Sequence, residues 1–344
     1  MKTPLISAVI PAYNAEKYIE ECLNSIMNQT FRDWECIIVD DASSDNTLSI
    51  IKEFAGKDQR FRYDMLPVNS GSAKAPRDKA ASLATSEWIL EVDADDFIDP
   101  DMMEKLYARA VQTGADIVCK RMKKFDHENP QRFIFLPDED FDLQCILTGE
   151  EAVMLTIPNW IIPSSGLIRK KLWDMRSTAK TGINHMNVDE FDGRELLLKA
   201  NFIVFEDAVY HYRHNSSSIT HKASSKLFET LITDKMIENL LHERFGKDSP
   251  QALIVSQWRI NNIFGMRYHL FSLGSELSDD ERKKAKKMIR EHYRTIDRNM
   301  APHRNSIPHR LLKKLVYRSY TLFGWYVFCH FVLDNTWGRF KNQK

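Results

Sequence analysis

Apolar runs of strand length alternate with amphipathic stretches of helical length through the first third of the chain. Residues 5–10 are mostly apolar and stop at Pro11, which predicts a short buried strand and then a turn. Residues 15–28 place Tyr18, Ile19, Cys22, Leu23, Ile26 and Met27 at helical spacing. Glu16, Glu20 and Glu21 fall early, where the helix dipole favours acids, and Asn14 stands where it caps the helix. Residues 34–39 predict a second buried strand, ending in a polar turn over 40–47. A helix over about 46–55, a strand over 60–65, a small-residue loop at 69–73 and a helix near 75–84 follow. Residues 88–90 then enter a turn with four carboxylates in six residues: Glu91, Asp93, Asp95 and Asp96. Strands and helices in alternation with short turns predict right-handed crossovers and a parallel sheet. In such sheets ligands gather at the carboxyl ends of the strands. The polar clusters at Tyr13, Asp40 and Asp93 all fall there.

Beyond the acidic turn the pattern predicts a helix from Pro100 and a strand over 115–120. An irregular hairpin over 121–145, with Pro130 and Pro137, is expected above the cleft. Acids at Asp189, Glu190 and Asp192 open a helix that runs through Ala200, and residues 204–213 form a strand entering a polar loop. Residues 222–344 are mostly helical by pattern. From Ala301 to Lys344 the chain has eight Lys or Arg against one acid, Asp334, around an aromatic segment at 320–333. That segment is too short to span a bilayer. With basic flanks that include Lys313, Lys314, Arg318, Arg339 and Lys341, it suits a helix lying on a membrane surface. A helix docked on the protein body, or an oligomer contact, is the other reading, and oligomeric state stays open.

Composition narrows this picture. The 344 residues suffice for one large domain or two modest ones. Lys+Arg and Asp+Glu both number 48, so only the basic tail favours nucleic acid, and no nucleic-acid partner is expected. Five scattered cysteines, odd in number and without a Cys-x-x-Cys, suggest a reducing compartment and argue against structural zinc. The chain enters its first strand within a few residues of Met1, with no signal peptide expected. The acidic turn needs a cationic partner, because carboxylates a few ångströms apart resist full ionisation together. Mn²⁺ or Mg²⁺, which prefer carboxylate oxygen and often bridge to phosphate, would fit. A solvated acidic loop is the alternative.

Five segments in order, residues 9–14, 25–30, 38–45, 69–71 and 93–96, resemble the nucleotide-sugar-binding half of family 2 glycosyltransferases, which have the GT-A fold. The resemblance covers roughly residues 5–120. It implies an α/β protein with a mostly parallel sheet flanked by helices and a helical C-terminal region. The catalytic domain would span 1–222, with a nucleotide-sugar half over 1–120 and an acceptor half over 121–222. Residues 223–344 would form the helical region. The stretch from Ala75 to Asp78 is also similar to bacterial transferases that decorate wall teichoic acid.

By this resemblance a UDP-sugar donor contacts Pro11, Ala12, Tyr13, Asp40, Asn69, Arg77, Asp93 and Ala94. Tyr13 would stack on uracil, Asp40 would accept from the ring N–H, and Arg77 would pair with diphosphate. Helix capping by Asp40 or Asp41 is the alternative. Asp95, with Asp93, would hold the metal, Mn²⁺ or Mg²⁺. The resemblance places the general base of an inverting transfer at Asp189, with Glu190 and Asp192 as rivals in the same turn. Trp160 would stack on a sugar or sit in the core. His211, His214 and His221 lack diagnostic spacing and suit packing better than ligation. The family often shows Ala-Arg-Asn-x-Gly where this chain has Pro76, Arg77, Asp78, Lys79 and Ala80, which leaves the donor sugar open. The acceptor would be a cell-envelope glycan or lipid-linked glycan, met at the inner face of the cell membrane by a cytoplasmic, peripheral enzyme. A non-catalytic nucleotide-sugar-binding protein on the same fold is the competing reading.

Overall fold

The structure is a computed structural model that describes residues 3–180, 183–214, 223–273, 276–297, 316 and 319–329. The chain divides into two units, Met1–Asn184 with Val188–Ser218, and His185–Asn187 with Ile219–Lys344.

The first unit opens with β1 (Ile6–Ala12), α1 (Ile19–Met27), β2 (Trp34–Asp40), α2 (Thr47–Lys57), β3 (Phe61–Met65), α3 (Lys74–Ser82) and β4 (Trp88–Glu91). The four strands are parallel in the order β3-β2-β1-β4. Every residue of β1 and β2 is buried, which is why they read as mostly apolar runs; the two polar residues inside them, Ser7 and Glu35, pair with each other, the Ser7 hydroxyl donating to Glu35 at 2.7 Å. Ile19, Cys22, Leu23 and Ile26 of α1 pack into the same core as Ile6, Ile10, Ile38 and Leu90.

Asn14 takes a left-handed backbone (φ 47°) and caps nothing; α1 starts at Ile19. Its side chain instead accepts from the Ser44 backbone N–H at 2.8 Å, tying the turn after β1 to the turn after β2. An Asn tolerates that conformation and offers a carbonyl, so the same residue type that suggests a cap also serves a tight turn.

The sheet continues through β5 (Phe97–Ile98), β6 (Ile117–Asp126), β7 (Phe133–Leu136), β8 (Gly166–Arg169) and β9 (Ile203–His214), interleaved with α4 (Met102–Thr113), α5 (Gly149–Met154), α6 (Lys170–Trp173) and α7 (Val188–Lys199). β8 lies between β4 and β6, antiparallel to both, while β9 runs parallel to β6. The expected hairpin is β6 with β7. Gly166 lies within β8, where a Cβ would meet the Val118 carbonyl oxygen at 2.0 Å. A core strand therefore runs through the expected acceptor half, where the sequence pattern predicts none. Four residues are too few for a periodic signal.

The second unit contains α8 (Thr230–Phe245), α9 (Pro250–Ser272) and α10 (Asp279–Arg294). Of the aromatic tail, residues 320–329 are described and are helical. Phe323 and Val327 are buried in one cluster with Ile263, Ile289 and Tyr293, whereas Leu322, Trp325 and Phe328 face outward. Lys313, Lys314, Arg318, Arg339 and Lys341 lie outside the described residues, as does His221. Among the described residues no helix is long and apolar enough to cross a membrane.

Candidate active site

Three strand ends build the site. In-register pairing of Ala12 with Asp40 brings the turns after β1 and β2 side by side. Pro11 and Ala12 are buried and present backbone only, while Tyr13 at the rim is exposed. Asp40 and Asp41, equivalent in sequence, part company here. Asp41 accepts from the Ser70 N–H and hydroxyl, both at 2.9 Å, and from the Asn69 amide at 3.2 Å, so it anchors the 69–72 loop. Asn69 thus spends its amide on Asp41. Asp40 accepts from the Ser43 N–H through Oδ2 at 3.0 Å, while its buried Oδ1 has no hydrogen-bond partner. A buried acceptor without a donor is costly, and one aimed from a strand end is ready for a ligand N–H. Neither acid caps α2, whose first turn is served by Asp45 accepting from Thr47 N–H at 3.0 Å.

The acidic turn is pinned from below. Tyr210 of β9 accepts from the Asp93 backbone N–H at 3.0 Å and donates to Asp96 Oδ2 at 2.7 Å. Arg213 donates its backbone N–H to Asp96 Oδ1 and its Nε to the Asp95 carbonyl. Asp96 is therefore a buried structural acid, its carboxyl raised well above the usual range by burial and by Asp93 and Asp95. Ala94 is buried beside it, while Asp93 and Asp95 are part-exposed. Arg77 on α3 donates to Asp93 Oδ1 at 2.7 Å and pairs with Glu91 at 3.2 Å. Burial opposes its charge, but Asp93, Glu91 and Asp189 together hold the guanidinium firmly protonated. Replacing Tyr210 with Phe should leave the Asp93 N–H and one Asp96 oxygen unpaired and cost about 1–3 kcal/mol in denaturant unfolding, with the sheet intact by circular dichroism.

A cavity of about 240 Å³ opens beyond Asp93, lined by Arg77, Asp93, Lys120, Trp160, Asp189 and Tyr212 among others. Tyr13 and Asp40 do not line it, so the predicted site residues fall into two neighbouring places: a shelf at β1 and β2, and this cavity. The three acids at the start of α7 have different fates. Asp192 is buried and accepts from Arg176 at 2.8 Å, from Lys74 at 3.3 Å and from the Thr178 hydroxyl. Glu190 pairs with Arg194 at 3.1 Å, and the Arg194 guanidinium lies 4.2 Å over the Trp160 ring. Of the three, only Asp189 opens onto the cavity without an ion pair among the described residues. The surrounding protein raises its carboxyl above the ordinary range; Arg77 opposes this and Asp93 adds to it.

His211 stacks on Phe97 at 4.2 Å and pairs with Asp99, a packing role. His214 uses its backbone carbonyl to accept from the His127 N–H. No group of three or more potential ligands converges among the described residues. Two carboxylates, Asp93 and Asp95, nevertheless suit a hard divalent ion that completes its shell with phosphate oxygens and water.

Sequence reasoning missed Tyr210, Arg213, Lys74, Arg176 and Lys120. Lys120 is 3% exposed, and its Nζ sits 3.4 Å over the Tyr210 ring. Burial pushes its ammonium down to about 8 against the pull of Glu91 and Asp93. A lysine ending an otherwise apolar strand run was the available signal.

Polar turns at the ends of β1, β2 and β4 place the site where α/β sheets bind ligands. The model of the family "Glycosyl transferase family 2" matches residues 7–153. Glycosyltransferase GlyG of Streptococcus pneumoniae serotype 4 is 31% identical over 229 residues, covering 62% of this chain and 72% of GlyG. The poly(ribitol-phosphate) beta-N-acetylglucosaminyltransferase TarS of Staphylococcus aureus is 36% identical over 119 residues, which span 34% of this chain and 21% of TarS. The solved structure of S. aureus TarS 1–349 in complex with UDP-GlcNAc superposes with a TM-score of 0.65 at 19% identity, covering 97% of this chain and 92% of that one. The chain belongs to glycosyl transferase family 2 and is a glycosyltransferase with the GT-A fold.

Proposed function

We propose that the protein is an inverting, metal-dependent transferase that moves a sugar from a UDP-sugar to a glycan or lipid-linked glycan of the cell envelope. The observation behind this reading is Asp189. It is an acid without an ion pair among the described residues, facing the same cavity as Arg77 and Asp93, with both rivals in its turn bound to arginines. In this assignment residues 1–120 bind the nucleotide sugar, 121–222 form the acceptor side, and 223–344 form the helical region with the basic tail. Uracil stacks on Tyr13, and its N–H meets the unpartnered Asp40 oxygen. Pro11, Ala12 and Ala94 border the donor with backbone, and Asn69 shapes the loop beside it. The full length of TarS acts on poly(ribitol-phosphate), by its name, and the complex with UDP-GlcNAc supports a UDP-sugar here.

Asp95 and Asp93 would hold Mn²⁺ or Mg²⁺, which when bound supplies Lewis-acid stabilisation of the departing diphosphate. Arg77 keeps Asp93 oriented and adds positive charge on the leaving-group side. Asp189 takes the proton from the acceptor hydroxyl as that oxygen bonds to the anomeric carbon. The bond from that carbon to the diphosphate oxygen breaks on the opposite side, and UDP leaves with the electron pair. The tail, with outward Trp325 and Phe328, would rest on the inner membrane face.

A donor screen tests this. Released UDP is expected from at least one UDP-sugar with Mn²⁺, removed by chelator and restored by metal; silence across all donors would remove the proposal. Asp40→Asn replaces a charged acceptor by a neutral amide. It should weaken UDP binding in calorimetry roughly tenfold or more, because a hydrogen bond to a charged group is worth about 1.5–3 kcal/mol.

A further inference from the structure

The geometry points to an acceptor that bears negative charge, phosphate or carboxylate, held by Lys120 and Lys124 on the cavity face of β6. This rests on the transferase reading above and names the substrate class of its acceptor side. Lys120, Met122 and Lys124 alternate along β6, so all three project to one face, and all three line the cavity. Beside them, in register, stand Tyr210 and Tyr212 of β9, paired with Met122 and Lys124. The strip follows the strand for roughly 13 Å, four residues at the usual rise.

Charge matching makes the strip unusual. Among the cavity's other cations, Lys74 and Arg176 are balanced by Asp78 and Asp192, and Arg77 by Asp93 and Glu91. Lys120 and Lys124 have neither an ion pair nor a hydrogen bond among the described residues. Their ammonium groups meet tyrosine rings instead, at 3.4 Å for Lys120 and 5.7 Å for Lys124. A cation held 3% exposed with no direct ion pair is costly even with Glu91, Asp93 and Asp96 attracting it from farther off, and an anionic ligand in contact lowers that cost. The strip shares its cavity with Asp189, Glu190 and Trp160, whereas the nucleoside shelf of Tyr13 and Asp40 lies outside it. Arg77 and Asp93 of the donor side line the same cavity at its Lys120 end, whereas Lys124 is drawn to Glu190, next to Asp189; an acceptor hydroxyl must reach Asp189, so an anion at the Lys124 end belongs to the acceptor.

The test uses the full chain, the donor found by the UDP-release screen, and three acceptors of similar length: a glycerol-phosphate oligomer, a uronate-containing oligosaccharide and a neutral oligosaccharide. The wild type should favour one anionic acceptor over the neutral one by at least tenfold in kcat/KM, and the preferred arm tells phosphate from carboxylate. In Lys124→Gln, a part-exposed position whose folding a thermal melt checks, that ratio should fall about tenfold. Equal or better use of the neutral acceptor, transfer to neither anionic acceptor, or an unchanged ratio in Lys124→Gln overturns the inference. Lys120→Met assayed with UDP by calorimetry separates donor from acceptor. A tenfold loss of UDP affinity with the acceptor ratio intact assigns the strip to the donor diphosphate and also overturns it. Wild type that releases UDP yet ignores acceptor charge defeats this inference alone. Wild type that releases no UDP from any donor defeats the transferase reading beneath it as well.

Discussion

Asp189→Asn should lose sugar transfer by roughly 10²–10⁴-fold, the range for removal of a general base. The substitution keeps size and shape but removes the basicity. UDP should still bind with Mn²⁺, because the nucleoside shelf at Tyr13 and Asp40 does not line the cavity that Asp189 faces. Folding should be unaffected, since Asp189 is exposed to the cavity and makes no ion pair among the described residues. Asp192→Asn is the contrasting change. It breaks the buried pairing with Arg176 and Lys74, so its damage should show in unfolding experiments. Near-normal transfer by Asp189→Asn would move the base to Glu190. The wild-type pH profile carries the same signature. The base must be ionised, and its carboxyl is raised above the ordinary range, first because the cavity walls take bulk water from it and then by Asp93, against Arg77. Activity should therefore fall, as pH drops, at a higher pH than the about 3.9 of a free aspartate. An acid limb at or below that value would contradict the assignment.

Asp95→Ala should lower donor turnover by roughly 10³-fold, given the several kcal/mol that a Lewis acid contributes at a departing diphosphate. The turn itself should survive, because Tyr210 and Arg213 hold it through the Asp93 N–H, the Asp95 carbonyl and the Asp96 carboxylate. None of those bonds uses the Asp95 side chain. A second readout needs no turnover: Mn²⁺ should tighten UDP binding to the wild type in calorimetry and do so far less in Asp95→Ala. Equal tightening in both proteins would return the acidic turn to the solvated-loop reading.

Much of the donor side is legible in the sequence because its signals are local. β1, β2 and β4 are mostly apolar runs, broken only by Ser7 and Glu35 before their polar ends, and buried parallel strands read that way. The acidic turn announces itself by charge density alone. What stays hidden depends on tertiary pairing. β8 is four residues long and becomes a strand only because β4 and β6 flank it. Asp40 and Asp41 are chemically identical, and only the 69–72 loop, folding over one of them, leaves the other with an unpartnered oxygen. Asp189, Glu190 and Asp192 differ by their partners Arg194 and Arg176, the latter on a separate segment near α6. Asp78, where the related pattern has Asn, answers Lys74 one helical turn before it and also Arg176, a part-buried pairing across 98 residues that no spacing rule foretells.

The anomeric configuration of the first product tests the central claim most directly. With an α-linked UDP-sugar and Mn²⁺, water can stand in for the acceptor, and proton NMR can follow the free sugar before mutarotation mixes the anomers. Displacement assisted by Asp189 from the side opposite UDP predicts that the β anomer appears first. First appearance of the α anomer would contradict the account.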